Sequence, residues 1–117
     1  MTYTTNINMK NLIGALKQKA SEEKVKIWKA VAEDLEKPTR IRRVVNISKL
    51  NKVTASDEIV IVPGKVLGSG EIDHKLTVAA FTFSEQAKDK INKNGSAITI
   101  TKLLEQNPKG KKVRIIG

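Results

Sequence analysis

Residues 59–70 constrain the fold of this chain more than any other stretch. Ile59, Val60, Ile61 and Val62 are four consecutive β-branched apolar residues. A short continuous run of this kind reads as a strand buried on both faces, so the sheet that contains it must be covered on both sides. Pro63 and Gly64 follow, and the expectation is that they end the strand, since proline has no N–H for a ladder. Residues 63–70 then read as a glycine-rich loop presenting Gly64, Lys65, Gly68, Ser69 and Gly70. Two readings of that loop stand side by side. It is a tight connection whose glycines satisfy turn geometry, or it is a cradle whose main-chain N–H groups face phosphate. The spacing matches neither the P-loop nor the dinucleotide fingerprint, so a phosphate ligand here would be a polymer backbone rather than a mononucleotide.

The chain on either side supplies helices and further strands. Residues 1–8 are polar and unperiodic and read as an extended arm that orders on a partner. Met9, Leu12, Ile13 and Leu16 recur at helical spacing and predict a helix over 9–20. Ser21 is the expected N-cap of a second helix reaching Leu35, with Glu22 and Glu23 in its first turn and Ile27, Trp28, Val31 and Leu35 on its buried stripe. Pro38 stops that helix. Three segments then share one pattern, a strand end followed by a capping hydroxyl and a helix, at Val45–Leu50, Phe81–Ser84 and Ile98–Leu103, with Ser48, Ser84 and Thr101 as the caps. A strand is expected at 76–83, a helix end at Asn94-Gly95, a turn at 107–110 and a last strand at 113–116. The 117 residues suit one domain. Its parts are an arm at 1–8, a helical pair at 9–36, a basic linker at 37–43 and a layered β/α core at 44–117.

Charge points to the partner. The 22 lysines and arginines against 12 acids leave a net +10. Such an excess fits a polyanion, above all nucleic acid. Lys37, Arg40, Arg42 and Arg43 form one acid-free cluster, and arginine forks suit phosphate. Lys109, Lys111, Lys112 and Arg114 form a second. Few aromatics argue against base stacking as the main contact, and Trp28 reads as core. No apolar run reaches the ~20 residues that span a bilayer. With no cysteine there is neither a disulfide nor a thiolate metal site, which fits a reducing cytoplasm. The single histidine, His74, has no partner set for a catalytic triad. No catalytic residues, metal site, cofactor or small-molecule substrate are expected.

Five segments together resemble a known family: L-E-K-P-x-R at 35–40, V-N-I at 45–47, V-P-G-K-V-L-G-S-G at 62–70, L-T-V-A-A-F-T-F-S at 76–84 and N-P-K-G at 107–110. They are similar to the ribosomal protein L-eighteen family of archaea and eukaryotes, in its archaeal form, which is related in fold to bacterial ribosomal protein L-fifteen. The resemblance implies an α/β single domain, a helix pair followed by an irregular layered superhelix of β-β-α turns. It also implies a non-enzymatic structural protein of the large ribosomal subunit, cytoplasmic, with large-subunit rRNA and neighbouring ribosomal proteins as partners and no membrane. Lys65 matches the family's glycine loop and Arg40 its basic segment. The rival reading is a free-standing RNA- or DNA-binding regulator; no helix-turn-helix supports it, because the first basic cluster follows the second helix instead of lying on its exposed face.

Overall fold

The computed structural model describes residues 2–37 and 43–116. Two helices come first, α1 (Thr2–Glu23) and α2 (Lys26–Leu35). After them the chain runs β1 (Arg43–Asn46), α3 (Ile47–Val53), β2 (Glu58–Leu67), β3 (Leu76–Phe83), α4 (Glu85–Asn92), β4 (Ser96–Thr99), α5 (Ile100–Gln106) and β5 (Val113–Ile115). All strand pairings are parallel. β2 is central: β3 flanks it on one edge with β4 beyond, while β5 and β1 share the other edge end to end.

Strand alternation divides the core in two. Val60, Val62, Val66, Val78 and Ala80 face α3 and α4 and pack with Ile47, Leu50, Ala87 and Ile91. Ile61 and Ala79 point the other way, toward Leu12, Leu16, Trp28, Val31, Leu35 and Leu103 of α1, α2 and α5. A one-residue slip would exchange these two sets, so the helical layers hold the register. The apolar run at 59–62 therefore does sit in a sheet covered on both faces, as its composition demands.

Pro63-Gly64 does not end the strand. β2 continues to Leu67, with a register shift against β3 between Val62 and Lys65. One extra residue on β2 is absorbed there as a bulge, a usual place for proline in a sheet. On the opposite edge β5 pairs with 59–61 and β1 with 64–67, so Pro63 lies where the two short strands meet. Its missing N–H falls in that gap.

Other boundaries also move. Residues 2–8 are not an extended arm but the first turns of α1, because adding turns to an existing helix costs little. Ser21 lies inside α1 and does not cap α2, and Glu22 and Glu23 belong to the last turn of α1. The break comes at Lys24, whose φ of 57° is left-handed, and Val25 N–H bonds back to the Ala20 carbonyl at 3.1 Å. This is a Schellman-type stop with lysine where glycine is usual. Ser84 caps α4 as expected, accepting from Ala87 N–H at 3.1 Å. At the other two units the cap stands two residues earlier than expected. Thr99, not Thr101, accepts from Lys102 N–H, and Asn46, not Ser48, is the N-cap position of α3. The shorter β1 and β4 pass into helix at once, which draws Ser48 and Thr101 into the helices. α4 ends at Asn92, and the turn through Asn94 and Gly95 closes on the Ile91 carbonyl. Of the expected linker, residues 38–42 lie outside the described residues, and Arg43 already belongs to β1.

Candidate nucleic-acid interface

The second basic cluster is built on a tertiary contact. After α5 the chain turns through Asn107–Gly110, closed by Gly110 N–H to Asn107 carbonyl at 2.9 Å and by two hydrogen bonds between Asn107 and Lys111. Trp28, fully buried on α2, donates its indole N–H to the Pro108 carbonyl at 2.7 Å. Gly110 then lies flat on the start of α2. A Cβ there would stand 2.8 Å from Ile27 Cγ2 and 3.4 Å from Val25 Cγ1. This contact carries Lys109, Lys111 and Lys112, all exposed, to the junction of α1 and α2.

Lys24, Lys26 and Lys29 are already at that junction and line an open cleft of about 580 Å³ between the two helices. Sequence reasoning missed these three. With the helix break expected at Ser21, Lys24 and Lys26 fell inside a helix; the close spacing of Lys24, Lys26 and Lys29 was the signal available. None of the six lysines has an ion pair among the described residues. Nearby acids are largely engaged elsewhere: Glu22 by Lys19, Glu36 by Lys17, Asp57 by Lys75 and Glu58 by Arg114. Glu23, Glu33 and Glu105 have no ion pair among the described residues and remain against the six.

Arg114 lines a shallow cleft with Lys112, but its charge is engaged. Its guanidinium bonds the Val53 carbonyl and sits 3.1 Å from Glu58, tying β5 to the segment that enters β2. Lys37 is likewise engaged, 2.9 Å from Asp34 on the same helix end. Arg40 and Arg42 lie outside the described residues, and so does the side chain of Arg43.

Lys65 stands at the other end of β2, exposed, beside Val44 of β1 and Thr82 of β3. About 3.3 Å per residue separates it from the Lys112 end of the sheet by roughly 20 Å. Gly64 is buried inside β2. The Gly68–Gly70 turn is tightly packed. A Cβ on Gly68 would meet Ala87 N at 2.8 Å, and Gly70, at φ 101°, would place one 2.5 Å from Ser48 Cβ. Lys90 of α4 donates to the carbonyls of Gly68 and Gly70 at 3.1 and 2.8 Å and pairs with Glu71. Ser69 N–H goes to Asn46 Oδ1, and its carbonyl accepts from Ser48 N–H. These contacts account for the glycines by packing alone.

His74 lies within hydrogen-bond reach of Thr54 Oγ1 at 2.8 Å and Asp73 Oδ1 at 3.1 Å, and joins the end of α3 to the β2–β3 crossover. That hydrogen bond holds the Asp73 carboxyl below its ordinary value. Among the described residues no three histidines, cysteines or carboxylates are grouped to hold a metal. No described helix is long and apolar enough to cross a membrane.

A family model for the ribosomal proteins 50S-L15 and 50S-L18e, with their 60S member L-twenty-seven-A, matches residues 6–99. The chain belongs to this family. Its members are ribosomal proteins, not enzymes. Among relatives, one from Methanothermobacter thermautotrophicus is 50% identical over 113 residues, covering 96% of this chain and 93% of the relative. One from Sulfurisphaera tokodaii is 47% identical over 116 residues, covering 98% and 95%. A third, from Methanoregula boonei, is 47% identical over 113 residues, covering 96% and 93%. All three carry the name "Large ribosomal subunit protein eL18". The family match runs from α1 through β4, so four of the five described helices and four of the five described strands lie within it, with α5 and β5 beyond.

Proposed function

We propose that this protein is a structural constituent of the large ribosomal subunit, bound to large-subunit rRNA and to neighbouring ribosomal proteins. The observation that carries the reading is the 50% identity to a large-subunit protein over nearly the whole of both chains. The surface supports it. Exposed lysines with no ion-pair partner among the described residues replace counterions along an RNA backbone and give a salt-dependent affinity. Lys65, Lys109, Lys111 and Lys112 are the contacts assigned among the described residues, and Arg40, Arg42 and Arg43 those in and beside the 38–42 segment. The Gly68–Gly70 turn, with Ser69 and Gly70 exposed, forms a close-fitting rim beside Lys65. Lys37 and Arg114 serve their internal ion pairs first, and their contribution to RNA is through the general field.

Sucrose-gradient fractionation of a native lysate tests this. The protein is expected with large subunits at low salt and is expected to leave them only in high salt. If it stays near the top of the gradient while ribosomes remain intact, the subunit reading is wrong and a separate nucleic-acid target takes its place.

A further inference from the structure

Two lysines of the α1–α2 junction are held in an unfavourable backbone conformation. Among the described residues, only Lys24, Asp57 and Lys112 combine a side chain with positive φ; the lysines stand at 57° and 59°. Glycine occupies this region without a Cβ penalty, and for lysine the cost is real. Neither lysine recovers that cost through an ion pair with a described residue. Glycine is used two residues from Lys112, at Gly110, where a Cβ would strike Ile27. Lysine is thus retained at two turns where the backbone favours glycine. Both turns meet at one place, since Gly110 packs on Val25 and Ile27, the first next to Lys24.

Residues held in sparsely populated backbone regions cluster at functional sites. The chemistry of this surface indicates which function. Its exposed charges are mostly ammonium ions, those of Lys24, Lys26, Lys29, Lys109, Lys111 and Lys112, beside Glu33 and Glu36 of the cleft, whose lining also includes Ala20 and Val25. The large hydrophobics exposed among the described residues are Val44 and Val53, neither of them in this patch. A protein partner would want a desolvated apolar or aromatic anchor. Clustered ammonium groups on flexible stems instead suit a ridge of phosphates, read without base identity.

Resting on the proposed function, we infer that Lys24 and Lys112, on either side of the Val25–Gly110 contact, form a clamp on the sugar–phosphate backbone of rRNA. The clamp takes structured RNA by its phosphates, and its position depends on two backbone turns rather than on an element of the sheet.

The test uses full-length protein and an in vitro transcript of archaeal large-subunit rRNA, with affinity measured across a salt series. In the Lys24→Gly/Lys112→Gly double variant the thermal midpoint is expected to be unchanged or raised, because glycine relieves both turns. RNA affinity is expected to fall about tenfold near ~0.1 M salt, with the log–log salt slope shallower by about 1.5. A Lys24→Arg/Lys112→Arg variant keeps the charge and is expected to keep the slope. Wild-type affinity and slope in the glycine variant would overturn the clamp. So would an equal loss from Lys88→Ala/Lys93→Ala, lysines of α4 and its C-cap, since the effect would then be net charge. A glycine variant that keeps its RNA affinity but fails to enter large subunits would overturn it in favour of a protein contact. Failure of the wild-type protein to bind the transcript would instead sink the proposed function itself.

Discussion

Trp28 and Pro108 are 80 residues apart in sequence and 2.7 Å apart in space, indole nitrogen to carbonyl oxygen. That bond fastens the turn carrying Lys109, Lys111 and Lys112 to the helix next to Lys24. Trp28→Phe keeps most of the apolar contact and removes the donor. A loss of about 1–3 kcal/mol is expected from the unpaired carbonyl and the reduced packing. Urea denaturation measures the loss, and amide exchange at residues 109–112 is expected to quicken beyond the change in global stability.

Lys90 is more a structural residue than a contact residue. Its ammonium group serves two carbonyls and one carboxylate around the Gly68–Gly70 turn. Lys90→Met retains the stem and removes the charge. The expected cost is about 1.5–3 kcal/mol, the range for hydrogen bonds to a charged group. Unchanged denaturation would mean that the turn holds by packing alone.

Two glycines make opposite predictions. Gly14 lies in α1 with open space around its missing side chain. Gly14→Ala should stabilise by about 0.5–1 kcal/mol through helix propensity. Gly70 sits at φ 101° against Ser48. Gly70→Ala should destabilise by about 2 kcal/mol or more, from backbone strain and overlap together. A thermal melt of each variant separates the two cases.

Acid should weaken the β2–β3 crossover. The His74 hydrogen bond lowers the folded-state pKa of Asp73 below its unfolded value. Its contribution is therefore fully present above the ordinary carboxylate range, near about pH 4. It is lost as pH falls through the lowered folded value. Asp73→Asn should flatten this part of the stability profile below about pH 4. An unaltered profile would show that other carboxylates set the acid limit.

Much of the architecture was legible in the chain because it rests on local periodicity. Met9, Leu12 and Leu16 mark the buried face of α1, and Trp28, Val31 and Leu35 that of α2. The run at 59–62 demands a sheet covered on both sides. Leu76–Phe83 is a strand with the bounds its pattern predicts. Net charge indicated a polyanionic partner, and five short motifs indicated the family. These signals lie within a few residues of one another, and hydrophobic spacing or composition is enough to read them.

Tertiary structure decided the rest. Pro63 remains within β2 because β5 and β1 meet at that point on its edge. The glycine turn proved to be packed against α3 and α4, with Lys90 as its clasp. Arg114 proved to be tied to Glu58, unlike the lysines of its cluster. The turn that carries Lys109 and Lys112 reaches the helix junction of Lys24 and Lys26 only because Trp28 and Gly110 bring two distant segments together. By itself the sequence determined which faces are buried and how much positive charge the surface carries. Which charges converge, and which are spent on internal partners, depends on contacts between segments up to 80 residues apart, to which local spacing is blind.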